Sequence, residues 1–198
     1  MEHLNQSLFL LLNAAPETSS AAVELMRLVA DGLIWIVPVG LTLGWLRASF
    51  TMRQVLLAAT VSGLTGLLIN QLIALVWYHP RPFELGIGQT LMSHALDSSF
   101  PSDHLTVIWA VAFSLLRRER TRLAGGALVF LGLPVAWARI YLGVHFPLDI
   151  LGAALVALCS AGVVWSQERR LIEPLIRLLL PPFRKIFSGL IRRGWAKQ

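Results

Sequence analysis

The sequence predicts an all-α fold: a polytopic membrane helical bundle of about five transmembrane helices with a short interfacial helix at the N-terminus. Three observations carry this. Of 198 residues, 56% are hydrophobic and 14% charged, against roughly 25% charged in soluble domains. Mean hydropathy is +0.66, the reverse of the low hydrophobicity and high charge that keep a chain disordered. The apolar residues also fall in long runs bounded by arginines and turn residues, with no polar linker between them, so residues 1–198 read as one integral membrane domain.

Each element has its own signal. Leu4–Asn13 is too short to cross roughly 30 Å of hydrocarbon at 1.5 Å per residue, and reads as a helix lying in the interface. Glu2 and His3 stand where a cleaved leader would carry basic residues, which argues against a signal peptide. Five spans are expected at about 21–46, 55–77, 105–116, 123–141 and 146–165. Pro38 and Pro134 are expected to kink their helices. Asn70 and Gln71 read as interhelical hydrogen-bonding groups, and Cys159 as a small buried hydrophobe. Glu24, Arg27 and Asp31, spaced i, i+3 and i+7, read as a local ion-pair ladder on one helical face.

Charge sets the orientation. Fourteen of the 17 Lys and Arg lie between spans one and two, between spans three and four, or after Trp165. The positive-inside rule makes that side cytoplasmic. Residues from about 167 to 198 form a basic amphipathic cytoplasmic tail, suited to anionic lipid headgroups. Topology thus accounts for the net charge of +6, and the pattern implies no nucleic-acid partner.

The two outer loops hold the remaining ionisable residues, among them His79, Arg81, His94, Asp97, Asp103, His104, Arg139, His145 and Asp149. Such groups are costly beside hydrocarbon and are functional candidates for that reason. Arg offers a planar fork matched to phosphate oxygens, and His serves as acid, base or nucleophile near neutral pH. Ser102 or Asp103 can cap span three and leave backbone N–H groups free, a ready anion site. Asp149 lies one helical turn after His145, where its carboxylate can hold Nδ1–H and leave Nε2 free to attack. A metal site is the competitor. Two arginines beside the cluster would repel a dication and no H-E-x-x-H or Cys pair is present, so neither metal nor cofactor is expected.

These strings resemble the type 2 phosphatidic acid phosphatase superfamily, whose motifs are K-x6-R-P, P-S-G-H and S-R-x5-H-x3-D. The second appears as Pro101-Ser102-Asp103-His104, and the third as Ala138-Arg139, five residues, His145, three residues, Asp149. The first survives as Arg81-Pro82, with Ala74 where the family has Lys. With these departures the chain looks like the bacterial undecaprenyl-diphosphate phosphatases of the bacitracin-resistance type.

The resemblance implies a roster of roles. His145 is the nucleophile forming a phosphohistidine, Asp149 orients it, and His104 is the acid and base. Arg81, Ser102 and Arg139 bind the substrate phosphate, with His79 a candidate for the missing Lys. It also implies hydrolysis of a polyprenyl diphosphate in the inner membrane, facing the periplasm, to recycle a carrier for peptidoglycan biosynthesis. The alternatives are a related lipid phosphatase or phosphotransferase acting on phosphatidylglycerol phosphate, phosphatidic acid or lipid A, or a non-catalytic anion or drug transporter. The transporter reading expects ionisable groups deep inside several spans, where this sequence has almost none. Span three, even with its capping turn, reaches roughly 21–23 Å. Its outer end, with Ser102 and His104, is therefore expected about 7–9 Å below the hydrocarbon boundary.

Overall fold

The computed structural model describes residues 2–197, and the regular structure among them is helical. Helix α1 (Glu2–Leu12) precedes a first long stretch, Ser20–Arg47, that is not uniform. It begins as α2 (Ser20–Arg27), whose first turn is capped by the Ser19 hydroxyl accepting from the Ala22 N–H. It passes through a π turn at Leu28–Gly32 and a 3-10 turn at Leu33–Trp35, then resumes as α3 (Ile36–Arg47). Pro38 therefore sits in the first turn of α3, where a missing N–H costs little, and the irregularity expected of it lies just upstream. Helix α4 (Phe50–Val76) follows a Ser49 cap. Then come α5 (Asp103–Leu116), α6 (Arg122–Tyr141), which continues through Pro134, α7 (Pro147–Ser166), α8 (Glu168–Ile186) and α9 (Ser188–Arg192).

All five expected spans are helices within a few residues of their predicted bounds. Four are long and apolar enough to cross a membrane. The exception is α5, whose 14 residues cover roughly 21 Å. It stands at the centre, packed on α4, α6 and α7, with Leu105, Ile108 and Val111 fully or almost fully buried. In lipid no hydrophobic force draws helices together, so close backbone approach matters. A Cβ on Gly125 would lie 2.7 Å from the Leu116 nitrogen and 2.8 Å from the Ala112 oxygen, so only glycine lets α6 reach α5 there.

The first span packs loosely by comparison. Two apolar grooves, of 290 and 300 Å³, flank α3 where it meets α4, α5 and α6. Asn70 bonds across to α5 as expected, but Gln71 is exposed, because the helical period turns it to the other face. Cys159 is likewise exposed on α7 rather than buried, on the face shared with Leu155 and Leu158.

At the end where α3 turns into α4, the segment read as a tail is a docked helix. Ile172, Ile176 and Leu180 of α8, four residues apart, pack on Leu57, Ala58 and Val164. Beyond α9 the chain folds back: Lys197 N–H donates to the Leu46 carbonyl at 2.8 Å. Arg53 closes this end. It donates to the carbonyls of Trp45 (3.2 Å) and Lys197 (2.6 Å), with its guanidinium over the Phe183 and Trp45 rings. The outward face of α8 keeps Arg169, Arg170, Arg177 and Arg184 exposed.

Candidate active site

The opposite end of the bundle is built from two loops stitched to each other and to α1. Leu91 N–H donates to the Leu142 carbonyl, Ser102 N–H to the Asp149 carbonyl, and Ser99 N–H to the His79 carbonyl. Asn13 joins both loops, its Nδ2 donating to the carbonyls of Gln89 and Tyr141 at 3.0 Å while its Oδ1 accepts from Gln89 N–H. Gly143, at φ +83°, packs so tightly on the Gln89 carbonyl that a Cβ would collide with it. Phe9 of α1 meets the Phe146 ring edge-on at 5.2 Å, and Asn5 Oδ1 accepts from Leu148 N–H.

This frame fixes His145. Pro147 opens α7, and Asp149, at the third helical position, caps it by accepting the Phe146 N–H at 2.7 Å. The cap places Asp149 Oδ2 3.3 Å from His145 Nδ1. The hydroxyl of Ser99, fully buried, donates to the same oxygen and lies 3.5 Å from Nδ1. On the other side of the ring, Nε2 faces Arg81 Nη1 at 3.4 Å. A guanidinium can only donate, so Nε2 is the acceptor and the ring proton sits on Nδ1, toward Asp149. Burial, with the nearby charges of Arg139 and Arg81, pushes the His145 pKa well below the usual 6.5. The imidazole is therefore neutral, with its Nε2 lone pair turned to Arg81 and away from Asp149.

Two buried arginines flank it. Arg81 is saturated: Nε and Nη2 donate to Asp97 Oδ1 at 2.9 and 2.8 Å, Nη1 to the Val144 carbonyl and Nη2 to the Ser98 carbonyl. Arg139 is 1% exposed, yet its guanidinium makes one hydrogen bond among the described residues, from Nη1 to Asp31 Oδ1 at 3.1 Å. Its buried Nε has no partner. The same Asp31 oxygen lies 3.7 Å from His104 Nε2.

Asp31 thus corrects the ladder reading. Glu24 and Arg27 do pair, at 2.8 Å, and Arg27 also anchors the loop through the Leu91 carbonyl. Asp31, which lies within the π turn, pairs instead with Arg139 of α6.

A buried histidine polarised by a carboxylate, with one guanidinium at its other nitrogen and the charge of a second nearby, can attack phosphorus while the cations hold the oxygens around it. Comparison with known proteins agrees with that chemistry. The PAP2 superfamily pattern matches residues 53–173, which include all three motif segments. This chain belongs to the PAP2 superfamily. YbjG of Escherichia coli (strain K12), which bears the name undecaprenyl-diphosphatase, is 35% identical over 100% of this chain and 99% of its own. The undecaprenyl-diphosphatase BcrC of Bacillus subtilis (strain 168) is 32% identical over 96% and 97%. BcrC of Bacillus licheniformis, named a bacitracin transport permease protein, is 26% identical over 84% and 82%. Among solved structures, Aquifex aeolicus LpxE aligns at TM-score 0.68 with 21% identity, over 82% of this chain and 95% of LpxE. A phosphatidylglycerolphosphate phosphatase from Bacillus subtilis aligns at 0.60 with 20% identity, over 87% and 88%. These two show the fold.

Within this PAP2 site the remaining predicted residues divide. Ser102 is the N-cap of α5, but its hydroxyl bonds no backbone N–H; it is buried and has no partner among the described residues. Asp103, the departure from the PAP2 glycine, faces away to Asn70, whose Nδ2 donates to it at 2.7 Å and to Thr106 at 3.1 Å. His79 does not reach either arginine: its Nε2 is 3.8 Å from Glu2 and its ring abuts Trp77 and Phe146. Asp31 and Ser99 are the residues that sequence reasoning missed. A charged residue inside an apolar span was the available signal for Asp31; Ser99 offered none.

Proposed function

We propose that this protein hydrolyses undecaprenyl diphosphate to the monophosphate and inorganic phosphate, through a phosphohistidine at His145. The observation that carries the reading is the setting of the His145 ring: buried, with Nδ1 3.3 Å from Asp149 Oδ2 and Nε2 3.4 Å from Arg81 Nη1, which directs its proton toward Asp149. Nε2 attacks the terminal phosphorus as the bond to the bridging oxygen breaks, and His104 gives its proton to the departing undecaprenyl phosphate. His104 then takes a proton from water as that water attacks phosphorus. The P–N bond breaks, phosphate leaves, and His145 and His104 return to their starting states. Arg139 and the free Ser102 hydroxyl hold the phosphoryl oxygens, and Arg81, fixed by its own partners, adds its charge beside them; the charge on those oxygens is most of what phosphoryl transfer asks a protein to stabilise. The names of YbjG and Bacillus subtilis BcrC support the substrate.

The same reading sets the enzyme in the bacterial inner membrane with its site facing the periplasm, since the arginine-rich loops and α8 gather at the other end. The exposed arginines of α8 then lie against anionic headgroups of the cytoplasmic leaflet. Residues 1–198 act as one unit, and the short α5 holds the chemistry below the hydrocarbon boundary, so that the polyprenyl chain leaves sideways. The groove lined by Ile34, Trp35 and Leu41 on one wall and Gly63, Leu67 and Val107 on the other begins one turn beyond Asp31 and suits that chain. Released undecaprenyl phosphate would re-enter peptidoglycan biosynthesis, and its supply would confer bacitracin resistance.

The name of the Bacillus licheniformis relative favours a second reading, a transporter. Phosphate release from polyprenyl diphosphate by the purified protein in detergent with EDTA present, inhibited by vanadate, decides between them. No release, with bacitracin transport in vesicles, would replace the enzyme with the transporter. Faster release from phosphatidylglycerol phosphate, phosphatidic acid or lipid A would keep the chemistry and change the substrate.

A further inference from the structure

The site contains an anion of its own. Arg139 is almost wholly buried and its guanidinium has five N–H donors, of which one is bonded among the described residues, to Asp31. The Asp31 carboxylate is 54% exposed, so it reaches in from the rim rather than belonging to the wall. Its Oδ1 occupies the point shared by Arg139 Nη1 at 3.1 Å and His104 Nε2 at 3.7 Å. Those are the groups that the proposed reaction brings to a phosphoryl group, so the carboxylate oxygen stands where a phosphate oxygen would.

We propose that Asp31 is a specificity-determining residue: an internal anion that occupies the Arg139 end of the phosphoryl site and must be displaced before phosphate binds. The inference rests on the phosphatase reading and adds to it a reason for selectivity. A small phosphate ester meets a site whose free guanidinium is already countered by a carboxylate. A lipid diphosphate brings more charge and a tail, and remote binding energy of that kind can be spent on displacement at the reacting centre. The placement suits this use. Asp31 lies on the π turn, and the next turn of the same span, Ile34 and Trp35, lines the apolar groove, so a chain seated there touches the segment that carries the carboxylate. Asp97 offers the internal contrast. It caps Arg81 in the same way, but Arg81 also bonds the Val144 and Ser98 carbonyls, so that guanidinium is held whether or not Asp97 is present.

The test uses vanadate as a tail-free phosphoryl mimic, with the purified full-length protein and its Asp31→Ala, Asp31→Asn and Asp97→Asn variants. Both Asp31 variants should bind vanadate about tenfold more tightly than wild type, the scale of one hydrogen bond between charged groups. Asp97→Asn should change binding by less than about twofold. The kcat/KM ratio of p-nitrophenyl phosphate to a long-chain polyprenyl diphosphate should rise by a similar factor in the Asp31 variants. Vanadate binding that is unchanged or weaker in both Asp31 variants would overturn the proposal, as would equal tightening in Asp97→Asn. Binding of vanadate needs no lipid, so an absence of binding in the wild type and in both Asp31 variants alike would instead bring down the phosphatase reading on which the proposal stands.

Discussion

Two arginines are withdrawn almost completely from solvent at opposite ends of this bundle, each 1% exposed, and they are held in opposite ways. Arg53 bonds two carbonyls and lies over two aromatic rings, so its charge is spread into fixed dipoles and π faces. Arg139 has one carboxylate partner and an orphaned Nε. Burial alone does not tell a structural cation from a functional one. At Arg139 the unfinished set of donors, in a dry pocket, is what points to an anion.

Four predictions bear on that contrast. The largest effect belongs to the group that both site arginines act on by charge: His145→Ala should lose at least about a thousandfold in kcat with its thermal unfolding little changed, since Asp149 keeps Ser99 and the Phe146 N–H. Turnover near wild type would remove the nucleophile from the scheme. Next come the arginines themselves. Arg139→Ala should cost about 10²–10³-fold in kcat/KM, as loss of a transition-state donor does, and leave the melting temperature in place. Arg53→Ala should do the reverse, destabilising the protein by about 2–3 kcal/mol through two unpaired carbonyls and the lost stacking, with kcat of the folded fraction within a few-fold of wild type. Similar profiles for the two variants would erase the distinction.

Smaller still, Ser99→Ala should lower kcat about tenfold, because Asp149 keeps its helix cap but loses the hydroxyl that steadies its Oδ2. No loss would make Ser99 a packing residue. The last effect is a displacement on the pH axis. The nucleophile must be neutral, and burial beside Arg139 and Arg81 depresses the His145 pKa well below 6.5. The neutral form therefore persists as pH falls through 6.5, and the acidic limb of kcat/KM, which reports the free enzyme, should lie below that value. A limb at or above 6.5 would mean that the arginine charges do not act on His145.

Legibility in the sequence tracks the range of the forces involved. His145 and Asp149 are one helical turn apart, so spacing alone brings carboxylate and imidazole together, and Pro147 with the Asp149 cap makes that turn certain. Span lengths were equally legible, down to the short α5. Ser99 was not, because its partner lies 50 residues away across a loop contact. Arg53 counted only as a topological charge, since the aromatic rings and carbonyls that hold it come from residues 45, 183 and 197. The amphipathic stripe of α8 was plain, whereas the face it docks on belongs to α4 and α7 and left no local mark. His79 is placed by contacts that spacing does not show: its ring abuts Trp77 and Phe146 and its Nε2 lies 3.8 Å from Glu2.

The π turn at Leu28–Gly32 has a consequence for how such a site can be inherited. Point substitutions within a lipid-facing helix change one side chain and leave its neighbours facing as before. Gain or loss of a single codon there re-aims every residue on one side of the event by roughly 100°, while hydropathy and span length stay almost the same. A lineage could therefore bring a carboxylate into the pocket, or take one out, in one genetic step that alters no motif and no charge count.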